Sequence, residues 1–403
     1  MKMYKEPSFE PTREQMLEIL EAHMKQITRT EIIPTVDANQ RICAADTYNR
    51  NILPNKPISA FDGISVRFDD FIHGIPDTSN WIEGNQYDFS NTGVAIKEKY
   101  DTVIAIEDVS FDQDGKIKIH ACPKNKGDYV GKIGGQVGEK EIIVYKNEEI
   151  TPSLIGILIS AGITKVSVYE KPRVTFLPTG DELVPWGYQV PPGKNVESNS
   201  WMLAAYIKEW GGIPLVNPII PDHMESLKEG IQEALKHSDL VLICAGSSKG
   251  SKDYTLPLLE TMGEVLVQEL GHGPGKHCSL AKISGKYVIG LPGPPGGADL
   301  TAKLYVKAAL YLMLHKPLPV YDTVEAIIEE EIKGLGIDFI FFMKVSIKEG
   351  QYYAKTVPLH GVTRSKSYHE QNAYLYVKKG EVFSKNSKVF VELQCERNLI
   401  EEG

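Results

Sequence analysis

The pattern of apolar and polar positions changes several times along the chain. Near the N-terminus, apolar residues recur at helical spacing after Thr12 and Gln15, which together form a capping box, and this predicts a helix over roughly 12–29. From about 31 to 147, short alternating runs such as ISVRF, DTVIAIEDVSF and EIIVY are separated by Gly, Asp and Asn. Such runs are typical of small antiparallel sheets. The segment TPSLIGILISAGI, with a Thr cap, an early Pro and a closing Gly, predicts a second helix that packs back on the first.

Apolar strands alternate with amphipathic helices from 172 to 317, as in RVTFLP, MESLKEGIQEAL, DLVLICA and YVIGLP. This alternation predicts a doubly wound α/β domain with a parallel sheet, whose ligand crevice lies beyond the carboxyl ends of the strands. Residues 318–403 return to strand-like runs. We therefore expect a multidomain α/β protein: a discontinuous helical domain (1–30 with 148–171), a β-rich insertion (31–147), the α/β domain (172–317) and a small, barrel-like C-terminal β domain (318–403).

Composition narrows the class of protein. A chain of 403 residues is too long to fold around a single hydrophobic core, so several domains are expected. The chain contains no apolar run long enough for a membrane span. The N-terminal stretch lacks a signal-peptide pattern, and the five cysteines are scattered and odd in number, so we expect reduced thiols in the cytoplasm. A net charge of −9 argues against a nucleic-acid partner.

Three loops at predicted strand ends carry the candidate chemistry: TGDEL (179–183), AGSSKGSKDYT (245–255) and GLPGPPGGA (290–298). Asp181 and Glu182 suit Mg2+ binding or proton transfer, although acids at this place also cap helices. In the second loop, small residues allow backbone N–H groups to approach an anion, with Ser247 and Ser248 as further donors. Asp253 either caps the next helix or holds a cation, and the loop as a whole could equally be a flexible turn.

The remaining motifs are less specific. GLPGPPGGA predicts a rigid turn that forms either a ligand wall or a plain connection. GHGPGKH does not meet the spacing of a phosphate-binding P-loop, so Lys276 is either a phosphate contact or a solvated lysine. His272, His277 and Cys278 have no second ligand pair nearby, and we predict no zinc site.

Eight segments, taken in order, resemble motifs of the MoeA family, which includes the C-terminal domain of gephyrin. SAFDGISVR is similar to S-A-M-D-G-Y-A-V-R, LPTGDELVPWG to S-T-G-D-E-L, and ESNSWMLAAYIKEWGG to D-S-N-x-x-M-L-x-x-L-x-x-x-G-G. The other matching segments are TGVAIKEKYDTVIAIEDV, PDHMESLKEGIQEAL, GSSKGSKDYT, GPGKHCSLAKI and GLPGPPGG. The resemblance runs over nearly the whole chain.

The resemblance implies a molybdopterin molybdenumtransferase, which inserts molybdate into adenylated molybdopterin with Mg2+-dependent release of AMP. It implies a homodimer in which Asp62 enters the site of the other subunit, with transient contacts to other cofactor-biosynthesis proteins. The implied catalytic acids are Asp62, Glu182, Asp222 and Asp253, of which Glu182 and Asp253 would hold the metal. The implied ligand and oxyanion positions are Thr179, Gly180, Ser247, Ser248, Gly250, Lys276, Pro292, Gly293 and Pro295.

Several positions depart from the family pattern. Gln136 stands where G-E-D-[IV] has an acid, Gly273 where K-P-G-K has its first lysine, and Pro294 where G-L-P-G-N-P has asparagine. Lys249 could replace the missing cation, and His223 stands in place of a second acid after Asp222. These changes leave two alternatives open, a molybdopterin-binding paralogue that inserts no metal and a tungstate-inserting homologue. An adenylyltransferase or a gephyrin-like scaffold fits less well with the predicted domains.

Overall fold

The computed structural model describes residues 9–245, 255–358 and 367–402. The chain forms two compact units. We call Thr30–Tyr169 the inserted unit, and the segments on either side of it, up to Arg29 and from Glu170 onward, the main unit. Each unit has its own buried apolar clusters. No helix within the described ranges is long and apolar enough to cross a membrane.

The first helix, α1, spans Arg13–His23 and belongs to the main unit. The predicted capping box is confirmed, because Thr12 accepts from the backbone of Gln15 and the Gln15 side chain accepts from Thr12. The helix ends six residues earlier than predicted. Met24 has an extended backbone, and the Ile27 N–H donates instead to the Met313 carbonyl at 2.8 Å. Burial of Met24 and Ile27 therefore continues the apolar pattern without continuing the helix.

The inserted unit consists of small antiparallel sheets, as the alternating runs predict. The strands pair as β1 with β11, β2 with β10, β3 with β9, β7 with β8, and β4 with both β5 and β6. The strands are β1 Thr30–Pro34, β2 Thr47–Tyr48, β3 Ile58–Ser59, β4 Gly63–Val66, β5 Tyr87–Ser90, β6 Thr102–Ala105, β7 Val109–Phe111, β8 Ile117–Ile119, β9 Val130–Gly131, β10 Ile142–Val144 and β11 Lys165–Tyr169, and short 3-10 helices span Thr35–Asp37, Phe68–Phe71 and Ile106–Asp108.

The predicted second helix, α2, spans Pro152–Ser160, with Thr151 as its cap. Helix α2 belongs to the inserted unit and α1 to the main unit, and their packing on each other stays a prediction. Leu158 of α2 is buried with Cys43 and Val144 inside the inserted unit. Met16 and Leu20 of α1 are buried in the main unit with residues of the helix Lys307–Met313. Each helix has an apolar face, but periodicity alone does not say which partner covers that face.

The α/β part of the main unit alternates strands and helices as predicted. Its elements are β12 Arg173–Pro178, β13 Leu183–Val184, β14 Asn195–Val196, α3 Asn199–Glu209, β15 Ile213–Val216, α4 Met224–His237, β16 Leu240–Ala245, α5 Thr255–Met262, β17 Glu264–Val267, β18 His272–Gly273, β19 Ser279–Ile283, β20 Lys286–Pro292, α6 Pro295–Thr301 and α7 Lys307–Met313. A π-helical turn, Ala302–Val306, joins α6 to α7.

The central sheet has the strand order β15-β12-β16-β20-β19-β17. Its first four strands are parallel, but β19 is antiparallel to both β20 and β17, so the sheet is mixed. The prediction of a wholly parallel sheet is wrong at this edge, because the short connection between β19 and β20 makes a hairpin. Helix α3 packs against β12 and β15, while α4 contacts β12 and β16. The carboxyl ends of β12, β16 and β20 thus lie side by side.

The C-terminal part is a small barrel-like β domain with one six-stranded sheet, ordered β18-β23-β24-β21-β27-β25 and closed by an additional pairing of β23 with β25. Its elements are β21 Thr323–Ile328, β22 Ile332–Lys333, β23 Asp338–Lys348, β24 Gln351–Thr356, α8 Ser367–Glu370, β25 Ala373–Val377, β26 Val382–Phe383, β27 Lys388–Leu393 and a 3-10 helix, Arg397–Leu399. Strand β18 comes from the α/β part, so the two parts of the main unit share a sheet.

Candidate functional site

A cavity of about 620 Å³ opens at the carboxyl ends of β12, β16 and β20. This is the edge at which a doubly wound sheet binds its ligands. The cavity is lined by the turn after β12, the start of α3 and the proline-rich turn after β20: Pro178, Thr179, Glu182, Leu183, Asn195, Val196, Glu197, Ser198, Asn199, Cys244, Gly293, Pro294 and Pro295. The structure therefore brings together four of the predicted site residues, Thr179, Glu182, Gly293 and Pro295.

The turn after β12 places one carboxylate in the cavity. The Thr179 hydroxyl donates to the Cys244 carbonyl at 2.8 Å and so joins β12 to β16. Gly180 follows with a φ of +149°, and a Cβ atom there would lie 2.8 Å from Oε2 of Glu182. A residue with a side chain would be strained at this φ and would displace the carboxylate. Gly180 thus acts on the cavity through Glu182.

Asp181 and Asp222 bind each other's backbone. The Asp181 N–H donates to Oδ2 of Asp222, and the Asp222 N–H donates to Oδ1 of Asp181, both at 3.2 Å. The ammonium of Lys194 donates to the Asp181 carbonyl at 2.6 Å. This arrangement connects the turn after β12 to the segment before α4. Of the two acids in TGDEL, Glu182 lines the cavity and Asp181 forms this connection.

The start of α3 contributes two cavity residues that the sequence interpretation missed as site residues. Glu197 is only 6% exposed, and its Oε1 accepts from the Ser200 N–H at 2.9 Å. Asn199 donates through Nδ2 to the Gly293 carbonyl at 2.9 Å and to the Cys244 sulfur at 3.2 Å. Its Oδ1 is buried and has no hydrogen-bond partner among the residues that the structure describes. The available signal was an acid directly before a predicted helix, within the ESN segment.

Cys244 lies at the base of this cavity. Its burial, followed by the nearby charges of Glu197 and Glu182, raises the pKa of the thiol to about 12. The thiol donates to the Pro292 carbonyl at 3.2 Å. A thiol of this pKa is neutral near pH 7 and is a poor nucleophile. Cys244 therefore contributes packing and a hydrogen bond to the site. The charged groups of the cavity are the carboxylates of Glu182 and Glu197.

The proline-rich turn after β20 packs against the loop that carries Lys276. A Cβ atom on Gly275, whose φ is +99°, would lie 2.5 Å from Cγ2 of Thr301 and 3.9 Å from the Gly297 carbonyl oxygen. Lys276 itself forms ion pairs, with Glu10 at 2.8 Å and with Glu269 at 3.7 Å. These pairs, chiefly the hydrogen bond to Glu10, raise the pKa of Lys276. Lys276 does not contribute to the cavity lining described above.

Other predicted site residues lie elsewhere in the chain. Asp62 is an exposed residue of the inserted unit, and its Oδ1 accepts from the N–H of Thr92 at 2.7 Å and from the Thr92 hydroxyl at 2.9 Å. The Thr92 N–H, and then its hydroxyl, lower the pKa of Asp62. Gln136 also belongs to the inserted unit, where its N–H donates to the Leu53 carbonyl. Ser247, Ser248, Lys249, Gly250 and Asp253 lie outside the described residues.

Within 9–245, 255–358 and 367–402, no cluster of three or more His, Cys, Asp and Glu side chains could hold a metal ion by itself. The predicted partner of Glu182 at a metal, Asp253, falls outside these ranges. His272, His277 and Cys278, for which no zinc site is predicted, have separate surroundings. His272 bonds to Tyr305 at 2.5 Å and His277 to Glu269 at 2.9 Å, while Cys278 is buried.

The fold and the cavity define a multidomain α/β protein with two carboxylates in a cavity at the ends of its parallel strands. Two protein families match this chain. Residues 175–311 match a family described as a probable molybdopterin binding domain, and residues 12–162 match the MoeA N-terminal region, domains I and II. The chain therefore contains a MoeA N-terminal region and a probable molybdopterin binding domain.

Similar proteins agree with this assignment. A molybdopterin molybdenumtransferase of Haemophilus influenzae is 29% identical over 286 residues, which are 68% of this chain and 70% of that protein. Its counterpart in Bacillus subtilis is 25% identical over 379 residues, 89% and 88% of the two chains. A crystal structure of a molybdopterin biosynthesis MoeA protein from Pyrococcus horikoshii, 25% identical, covers 96% of this chain and 100% of its own with a TM-score of 0.77.

Proposed function

We propose that this protein is a molybdopterin molybdenumtransferase, which inserts molybdate into adenylated molybdopterin and releases AMP in a Mg2+-dependent reaction. The names of its relatives and the two matching families support a role in molybdenum cofactor biosynthesis. The observation that carries the proposal in this chain is the cavity at the strand ends, where Glu182 and Glu197 stand beside the neutral thiol of Cys244. Five free cysteines agree with a reducing compartment such as the cytoplasm.

The donors of the cavity suit Mg2+. Magnesium prefers carboxylate and amide oxygens together with substrate phosphates. The cavity wall has the carboxylates of Glu182 and Glu197, and the Oδ1 of Asn199, which no described residue hydrogen-bonds. We propose that Glu182, with Asp253, holds the ion. Bound there, Mg2+ would neutralise the pyrophosphate of the substrate and favour departure of AMP. Without a cation, these carboxylates would repel an anionic substrate.

The other predicted residues receive proposed roles. Thr179 and Gly180 shape the turn that orients Glu182, and Pro292, Gly293 and Pro295 form a rigid wall. Ser247, Ser248 and Gly250 would offer hydroxyl and backbone donors to phosphate. Lys276 would bind molybdate, a dianion that requires N–H donors and a cation. For this, its ammonium must exchange the carboxylates of Glu10 and Glu269 for the oxyanion. Asp222 would act through its contact with Asp181.

The test is AMP release from adenylated molybdopterin by purified protein with Mg2+, in the presence and absence of molybdate. We expect molybdate-dependent release in the wild type and a loss of at least about 100-fold in Glu182→Gln, which keeps the shape of the side chain and removes its charge. Glu225→Gln on α4, whose side chain is 73% exposed, is the matched control and should release AMP normally. Equal rates in Glu182→Gln and wild type would contradict the assignment of Glu182.

The alternative function is a paralogue that binds molybdopterin without inserting metal. Gln136, which replaces an acid of the family pattern, is the observation that favours it. In that case the wild type would bind the substrate without releasing AMP, and Gln136→Asp would restore release. Tungstate insertion is tested in the same assay, by replacing molybdate with tungstate at equal concentration, because the two oxyanions have nearly the same size and charge.

A further inference from the structure

Two exposed tryptophans contact each other on segments that also contribute to the cavity. Trp186 follows β13, and Trp201 lies in the first turn of α3. Their ring centroids are 5.7 Å apart, and their planes meet at 83°. The residues are 60% and 51% exposed. Trp210 at the other end of α3 is different, since it is 5% exposed and stacks on Tyr206 with centroids 4.9 Å apart.

The elements that carry this tryptophan pair also form one wall of the cavity. Leu183 of β13, Val196 of β14 and Asn199 of α3 all line it. Trp186 comes three residues after Leu183, and Trp201 comes two residues after Asn199. Strands β13 and β14 are paired, which holds the segment with Trp186 next to the start of α3. The two indoles therefore belong to segments that line the cavity of Glu182 and Glu197, within three residues of lining residues and not among them.

Exposure of two large aromatic rings on neighbouring elements is unfavourable unless a ligand covers them, because burial of apolar surface drives association. Rings at nearly right angles form a corner, in which a planar heteroaromatic ring can stack on one indole and place its edge against the face or edge of the other. Base stacking on aromatic side chains needs no hydrogen-bond readout of the base, and so it suits an exposed surface.

We propose that Trp186 and Trp201 form a stacking platform for the adenine of the nucleotide half of the substrate. This inference rests on the proposed function. The carboxylates and their Mg2+ would engage the phosphates inside the cavity, so the base attached through ribose would extend toward the segments that carry the indoles. AMP is the half that departs, and a solvent-exposed stacking site releases it more readily than a closed pocket would. Trp186 and Trp201 are thus binding residues for the leaving group.

The experiment measures AMP binding to the full-length protein by calorimetry in the presence of Mg2+, with ribose 5-phosphate as the probe that lacks a base. Trp186→Leu and Trp201→Leu remove the aromatic faces, while Trp186→Phe and Trp201→Phe keep them. Phe390→Leu is the matched control, since Phe390 is an aromatic residue of β27 that is 71% exposed. We expect each Leu variant to weaken AMP binding about tenfold, each Phe variant to retain most of the affinity, and ribose 5-phosphate binding to stay unchanged.

Three results would overturn the proposal. Unchanged AMP affinity in both Leu variants would show that the indoles do not contact adenine. Equal weakening of AMP and ribose 5-phosphate would show that the substitutions disturb the phosphate site. Loss of binding of neopterin, a free pterin, with retention of AMP binding would assign the platform to the other half of the substrate. None of these measurements uses turnover, so a wild type that binds AMP through the tryptophans but releases none from the substrate would contradict only the proposed function.

Discussion

Glu197 has two roles, a hydrogen bond to the start of α3 and a negative charge at the cavity, and a substitution by Gln separates them. Its carboxylate accepts from the Ser200 N–H at the start of α3, and its charge lies next to the cavity. Glu197→Gln keeps an oxygen acceptor for the helix and removes the charge. We expect thermal stability to change little, and the Mg2+ concentration needed for half-maximal AMP release to rise about tenfold, since a carboxylate contributes strongly to Mg2+ affinity. Unaltered Mg2+ dependence would limit Glu197 to capping.

The matched control for Glu197, which precedes α3, lies at the other end of that helix. Glu209 is exposed and is the last residue of α3, at the end of the helix opposite to Glu197. Glu209→Gln removes the same charge at the opposite end, where a negative charge is unfavourable to the helix dipole. Its Mg2+ dependence should match that of the wild type.

The burial of His272 predicts that the stability of the folded protein depends on pH. The side chain is fully buried, which lowers its pKa from 6.5 to about 4. Between these values the unfolded chain binds a proton that the folded protein does not, so the free energy of unfolding falls as the pH drops from 6.5 to 4, by about 3 kcal/mol in full. Chemical denaturation at several pH values should show a shallower decline in His272→Gln. If the free energy of unfolding changed with pH equally in wild type and His272→Gln, this prediction would be contradicted. His237→Gln, on the exposed end of α4, is the control.

At the scale of an element, the turn between β12 and β13 determines where the acid of the cavity points. Gly180→Ala adds a methyl group 2.8 Å from Oε2 of Glu182, at a φ of +149°. We expect a loss of about 1–2 kcal/mol in the free energy of unfolding from backbone strain, together with a fall in kcat for AMP release because the carboxylate is displaced.

Gly187→Ala separates these two effects of the turn. Gly187 has a φ of +92°, and a Cβ atom there would have no atom of a described residue within 4 Å. The variant therefore has backbone strain of the same kind without a contact to Glu182. It should lose similar stability and keep its kcat. A similar loss of kcat in both alanine variants would mean that loop strain, rather than displacement of Glu182, accounts for the effect.

At the scale of the whole molecule, the predicted homodimer can be tested by complementation. If Asp62 serves the site of the other subunit, a mixed dimer of Asp62→Asn and Glu182→Gln subunits contains one intact site. Random association makes half of the dimers mixed, so about a quarter of wild-type AMP release should return. Neither variant alone should be active. Absence of recovery in a sample that sedimentation shows to be dimeric would mean that Asp62 does not act across subunits.

Much of the element pattern was predictable because local physical chemistry determines it. The Thr12 and Thr151 caps follow from side chains that satisfy the free N–H groups of helix starts, and both were confirmed. Strands β12, β16 and β20 were evident from continuous apolar runs, which are typical of strands covered on both faces. The end of α1 was not predictable in the same way, because the contact of Ile27 with Met313 joins segments far apart in the chain.

The sequence by itself determined the alternating α/β order, the turns with Glu182 and Gly293 at strand ends, and the resemblance to the MoeA family. These features depend on residues close together in the chain, or on the order of motifs, which the sequence alone gives. Only the tertiary structure decided that Glu197 and Asn199 belong to the same cavity, that Lys276 pairs with Glu10 and Glu269, and that Trp186 and Trp201 contact each other. Each of these depends on distances between segments, which are set by how the sheet and its helices pack and not by any local pattern.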